Sequence, residues 1–187
     1  MRSFGAYFVR ATDSSTVQGV LGPTVVVPGS AWTVSGYRKE PSPPADDVLW
    51  GRKCLTDEAS RALGEVVYLY ADVSSESFFY EHARGGRLLR KLSWFALLDE
   101  DWNHGWLCVE VEPEEWEAAL FRPDQLEAAL ELEREAHAGD DAGLASREQE
   151  LHAIWRDRRL EPGARVPPAD GSVARLVERH LGLIHPA

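Results

Sequence analysis

Residues 66–111 read VVYLYADVSSESFFYEHARGGRLLRKLSWFALLDEDWNHGWLCVEV, and hydrophobic runs, turn signals and charge pairing agree there on one structure. Gly85-Gly86 lies between two runs rich in aromatic and apolar residues. A two-residue Gly-Gly loop supplies the positive φ angles of a type I′ or II′ hairpin turn. With Arg84 and Arg87 flanking the turn, antiparallel counting sets Ala83 against Leu88, Glu81 against Arg90, Tyr80 against Lys91, Phe79 against Leu92 and Phe78 against Ser93. Opposite charges then meet at Glu81 and Arg90, and apolar side chains at Phe79 and Leu92. Such cross-strand pairs contribute about 0.2–1 kcal/mol each, and a slip of one residue reverses both faces.

The run before the hairpin, Val66 to Val73, is apolar on both alternating sets. A strand covered on both sides reads this way, which places it centrally in a sheet. Downstream, Asn103-His104-Gly105 reads as a turn and Trp106 to Val111 as a further strand, completing a meander. Toward the N-terminus, Ser3 to Arg10 is another strand, and Thr12 or Asp13 caps a short helix through Leu21 that Gly22-Pro23 closes. Thr24 to Val27 and Ala31 to Tyr37 form two strands about Val27-Pro28-Gly29-Ser30, whose central proline and glycine suit a type II turn. Glu40 to Asp47, with three prolines, is a loop. Thr56 is placed as the N-cap of a helix Asp57 to Leu63, with Gly64 after its end.

From Glu114 onward the pattern is helical. Glu114 to Phe121 makes one short helix, Pro123 opens a second that ends near Gly139, and Asp140 or Asp141 caps a third that runs to Pro162-Gly163. Asp170 to Leu181 makes the last, closed by Gly182. The expected fold is α+β: a mostly antiparallel sheet, built from the meander and the N-terminal strands, packed against helices. One domain is expected over 1–187, sheet-rich over 1–112 and helical over 113–187. At 187 residues and 44% hydrophobic content the chain can bury a sizeable core.

Cys54 and Cys108 are the only cysteines and have no paired spacing. The opening Met-Arg-Ser-Phe-Gly lacks the apolar run of a signal peptide, so a cytoplasmic protein with free thiols is expected. No stretch approaches the roughly 20 apolar residues of a membrane span. Seventeen Arg against 3 Lys is the coding habit of a GC-rich bacterial genome. The net charge of −11 is uneven: residues 1–95 hold 11 basic and 10 acidic side chains, 99–150 hold 3 and 17, and 151–187 hold 6 and 4. Direct nucleic-acid binding, which draws affinity from neutralising phosphates, is disfavoured, and a basic protein partner is favoured. Nothing in the pattern sets the oligomeric state.

Candidates for chemistry are few. Glu81 and His82 are neighbours, but successive strand residues face opposite sides, so they cannot act together. His104 and Cys108 resemble a nucleophile and base or two metal ligands, yet no further ligand stands at suitable spacing, and a cysteine in an apolar strand is normally a small core residue. His180 and His185 straddle Gly182 as helix-end residues. Arg156, Arg158 and Arg159, with Arg165 beyond, are a candidate anion site, weighed against their fit to a helix C-terminus. Glycine-rich phosphate loops, the two-histidine zinc motif and the serine elbow are absent, so no cofactor, metal or reaction is named.

The remaining feature is the acidic, tryptophan-bearing segment. Asp99, Glu100, Asp101, Trp102, Glu114, Glu115 and Trp116 form the expected partner-binding set, since tryptophan is enriched at interface hot spots and charge of one sign steers a partner of the other. The opposing reading has these tryptophans filling the seam between sheet and helices, with the carboxylates a solvated face. In composition alone the chain is similar to immunity or antitoxin proteins, which would imply a basic target such as a nuclease or other toxin. The alternative is a small-molecule-binding domain or enzyme with its site between the sheet and the C-terminal helices. A pocket lined by polar groups favours the second class, and an acidic patch bearing exposed tryptophan the first.

Overall fold

In the computed structural model, residues 3–10, 13–97, 103–167 and 171–186 are described. Gly85 and Gly86 both take left-handed φ angles, 59° and 83°, as a type I′ turn requires. They join β5 (Ser77–Arg84) to β6 (Arg87–Leu97). The other strands are β1 (Phe4–Val9), β2 (Thr24–Val26), β3 (Thr33–Arg38), β4 (Glu65–Asp72) and β7 (Asn103–Glu110). They form one antiparallel sheet in the order β2-β3-β1-β4-β5-β6-β7, so the doubly apolar run at Val66 does lie at its centre.

The hairpin register departs from simple counting. Arg84 pairs with Arg87 and Ala83 with Leu88 as expected, but His82 then pairs with Arg90, Glu81 with Lys91, Tyr80 with Leu92 and Phe79 with Ser93. Leu89 is the extra residue of a β-bulge. The expected Glu81–Arg90 and Phe79–Leu92 pairs are therefore replaced. Apolar alternation could not reveal this, because both faces of these strands are buried and either register buries apolar side chains. Charge decides the matter. The bulge sends Arg90 to the face where Glu117 waits, 2.6 Å away, and Lys91 to the opposite face, 3.3 Å from Glu81.

Helices cover both faces. On one, Ala6, Phe8, Leu69, Tyr80, Leu92, Trp94 and Trp106 share a core with residues of a 3-10 helix (Glu115–Leu120), α4 (Pro123–Ala136), α5 (Asp141–Asp157) and α6 (Gly171–Leu181). On the other, Val9 and Val66 pack on α1 (Ser14–Leu21) and α3 (Asp57–Leu63), while Tyr70 and Phe79 pack on α2 (Asp46–Leu49). Backbone bonds from Trp106 N to Ala164 O (3.0 Å) and from Gly163 N to Trp106 O (2.7 Å) cover the β7 edge.

Several local expectations change. Asp13 caps α1 and Asp140 caps α5. Thr56 precedes α3 without a side-chain cap bond; its hydroxyl donates instead to Glu81 Oε1 at 2.8 Å, alongside the amides of Leu55 (2.6 Å) and Thr56 (2.7 Å). The proline-rich loop ends in α2 one residue before Asp47. Asn103-His104-Gly105 is strand, so the β6–β7 connection falls within residues outside those described. Helix α5 stops at Asp157, not at Pro162, because Arg158 turns left-handed with φ 50°, and Leu160 beyond it is buried.

Glu81 and Lys91 have fully buried side chains. Removing one partner of such a pair strands a charge in a dry site. Lys91→Met is thus expected to cost about 3–5 kcal/mol in urea unfolding. Glu81→Gln keeps an amide oxygen for Leu55 and Thr56 but strands the Lys91 ammonium in turn, so it should be destabilising on the same scale, and an unchanged midpoint for Lys91→Met would overturn the account.

Candidate functional site

His82 lies on the face covered by the C-terminal helices, with Tyr80 and Arg90, because strand alternation carries it to the side opposite Glu81. Both of its ring nitrogens meet carboxylates: Nδ1 lies 2.6 Å from Glu114 Oε1, and Nε2 lies 3.1 Å from Glu65 Oε1. Both ring nitrogens are thus engaged by carboxylates of the protein itself.

Each neighbour is positioned by a local feature. Glu65 opens β4 directly after Gly64, faces Arg84 across the β4–β5 ladder and bonds it at 3.0 Å. Arg10, just beyond β1, donates its backbone N–H to Glu65 O at 3.0 Å and sets its guanidinium 3.5 Å from Glu65 Oε2. The same guanidinium stacks 4.8 Å from the Trp32 ring centre. Glu114 is the N-cap of the 3-10 helix in a reciprocal box with Glu117. Its Oε2 accepts from Tyr80 OH at 2.6 Å and from Trp116 Nε1 at 2.8 Å. Glu117 in turn takes a bidentate pair from Arg90, at 2.8 and 2.6 Å. Thus the 3-10 helix is tied to the sheet through carboxylates at both its cap and its first turn.

These contacts shift the acids. Burial pushes Glu65 upward, but the Arg84 and His82 hydrogen bonds outweigh it and hold the carboxyl below its usual range. Burial likewise raises Glu114, and bonds from His82, Tyr80 and Trp116 again win, leaving it lowered. Burial foremost, then the Glu114 charge, raises Tyr80 well above its ordinary value, so it stays a donor. Glu117 is raised, since burial exceeds what Arg90 restores.

A cavity of about 470 Å³ opens onto this network, lined by Arg10, Glu65, His82, Arg84 and Pro113–Glu115 with His180 and Leu181 at the end of α6. It lies between the sheet and the C-terminal helices. Of the residues singled out by sequence, it gathers His82, Glu114, Glu115 and His180. Asp99, Glu100, Asp101 and Trp102 lie outside the described residues. Trp116 is only 4% exposed and packs edge-on against Tyr80, ring centres 5.6 Å apart, so it presents little surface to a partner, while Glu115 is exposed in the cavity lining. Arg156, Arg158 and Arg159 are exposed: Arg156 bonds Asp157 at 2.7 Å, Arg159 reaches Glu112 at 3.7 Å, and Arg158 makes the left-handed turn. Cys108 lies on the opposite face, and burial together with Glu110 pushes its thiol up to about 12, which removes the thiolate a nucleophile needs. His185 packs edge-on against Phe4 at 4.2 Å and meets Glu178 at 2.7 Å.

Sequence reasoning missed Glu65, Arg10, Arg84 and the Arg90–Glu117 pair as a set. No spacing motif links residues so far apart. The available signal was polar residues at inward positions of strands that are otherwise apolar. Among the described residues no three His, Cys, Asp or Glu side chains are grouped to hold a metal, and no helix is long and apolar enough to cross a membrane. Comparison with family models, curated proteins and solved structures finds no match. What fold and cavity define is a class by architecture, an α+β protein with a polar cavity where the sheet meets its C-terminal helices.

Glu65 and Glu114 ionise in the folded state below their ordinary 4.5. The stability they contribute is therefore present above pH 4.5 and is lost as pH falls through their folded values. Glu117, raised, acts with the opposite sign. Glu114→Gln should flatten the acid limb of a urea-midpoint against pH curve below 4.5 relative to the parent chain. Superimposable acid limbs would mean that the network does not hold the carboxylate down.

Proposed function

We propose that the protein is a small-molecule-binding domain whose ligand occupies the cavity above His82. The observation that carries this reading is the cavity's wall: an ordered chain of titratable groups, Glu65–His82–Glu114, standing beside open volume. Shifted carboxylates in a cleft are the usual mark of a functional site. The role assigned to His82 is to orient, as both its nitrogens are engaged. Binding, not turnover, is therefore the activity proposed.

A second reading keeps the notion of a protein-binding module that takes a basic partner, as immunity and antitoxin proteins do. Supporting it are the surplus of acids over 99–150 and the exposure of Glu112 and Glu115, together with Leu132, 66% exposed among the acids of α4. The two readings separate experimentally. A panel of small polar metabolites is screened by thermal shift, and hits are followed by NMR of the histidine side chains. Ligand-dependent stabilisation that moves the His82 resonances, and that His82→Gln abolishes, is the outcome expected. No stabilisation from any metabolite, with salt-sensitive binding to a basic protein weakened by Glu112→Gln and Glu115→Gln, would place the second reading first.

A further inference from the structure

We infer that the ligand of this cavity carries an oxyanion, a phosphate or a carboxylate, gripped between the guanidinium groups of Arg10 and Arg84 with His180 at the rim. The inference rests on the ligand-binding reading above and adds to it the chemical class.

The reasoning is an inventory of donors and acceptors. An ionised carboxylate offers about four acceptor sites, a guanidinium five N–H donors and no acceptor. Glu114 already accepts from His82, Tyr80 and Trp116. Glu65 already receives His82 and Arg84 on one oxygen, and Arg10 approaches the other. The acceptors at the base of the cavity are thus nearly filled. The donors are not. Arg10 and Arg84 meet one carboxylate between them, and their side chains remain 52% and 62% exposed. A ligand that supplies acceptors finds partners there; one that supplies only donors finds few.

Geometry points the same way. Arg84 approaches Oε1 of Glu65 and Arg10 approaches Oε2, so a single two-oxygen group already spans both guanidinium groups from below, and an oxyanion can do the same from the cavity side. Arg10 is steadied for this role by its stacking on Trp32, whose indole N–H donates to Leu181 O at 2.8 Å. His180, also in the lining, is exposed in the last turn of α6. The opposing charges are Glu65 and Glu114, already engaged by Arg10, Arg84 and His82, and Glu115 at the mouth, which by repulsion limit how tightly an anion is held.

The test titrates inorganic phosphate and succinate into the full chain at constant ionic strength, read by calorimetry and by the His82 resonances. Tetramethylammonium and inositol serve as cationic and neutral probes. Saturable binding of phosphate or succinate is expected. It should weaken about tenfold in Arg10→Gln and in Arg84→Gln, the scale of one charge-assisted hydrogen bond, and tighten in Glu115→Gln, an exposed substitution that does not threaten folding. Tighter phosphate than succinate assigns the site to phosphate esters, and the reverse to carboxylic acids. Anion binding that ignores all three substitutions overturns the inference. Perturbation of His82 by inositol or tetramethylammonium and not by the anions overturns it too, while leaving the cavity a ligand site. Silence from every probe overturns the anion assignment, and the metabolite screen decides the ligand-binding reading separately.

Discussion

Two adjacent buried cations on one strand, Arg90 and Lys91, impose the constraint on which the rest of the structure depends. Neither has more than 1% of its side chain exposed. A strand delivers neighbours to opposite faces, so each face of the sheet must supply a carboxylate. Glu81 answers Lys91 on the side of α1–α3, and Glu117 answers Arg90 on the side of the C-terminal helices. The bulge at Leu89 is what brings both matches into register. Buried ion pairs add little net stability, but an unmatched one is severely penalised, so their effect is to exclude the wrong register and the wrong seating of the covering layers.

The polar side chains then fasten layers. Lys91 also donates to Lys53 O, and Glu81 collects the amides at Leu55 and Thr56, so the segment leading into α3 is sewn to β5 and β6. Across the sheet, His82 and Arg90 hold the 3-10 helix by Glu114 and Glu117. The site and the fold share the same bonds. A cavity wall built from groups that also anchor a helix is stiff, and stiffness lowers what a ligand must spend in ordering its partner.

Legibility in the sequence followed the range of the interactions. The Gly85-Gly86 turn, the Asp13 and Asp140 caps, Pro123 at the start of α4 and the central place of Val66 to Val73 are written in residues close to one another, and these were readable. The opposed facing of Glu81 and His82 was readable too, from alternation alone. The bulge was not, since Leu88, Leu89 and the apolar pairs around them satisfy either register. The cavity was not, since Glu65, His82 and Glu114 come from two strands and a helix cap with no spacing rule between them. Composition misled in one respect. Part of the acidity of residues 99–150 is turned inward: Glu117 is neutralised by the buried Arg90 of the sheet, and Glu114 serves the network around His82. The formal charge of the segment therefore overstates the field it presents.

Strand β1 lies between β3 and β4, with Phe8 opposite Val34 on one side and Val67 on the other. Synthesis runs from the N- to the C-terminus, so β1 gains its second neighbour only after the residues between Val9 and Glu65 have followed it. Until β4 emerges from the ribosome, β1 offers an apolar, half-paired edge to whatever is near. The hairpins from β4 to β7 have no such wait, each strand finding its neighbour in the residues just made. Non-local pairing of this kind slows folding and lengthens exposure to aggregation. Until β4 arrives the nascent chain therefore carries β1 with one of its two edges unpaired.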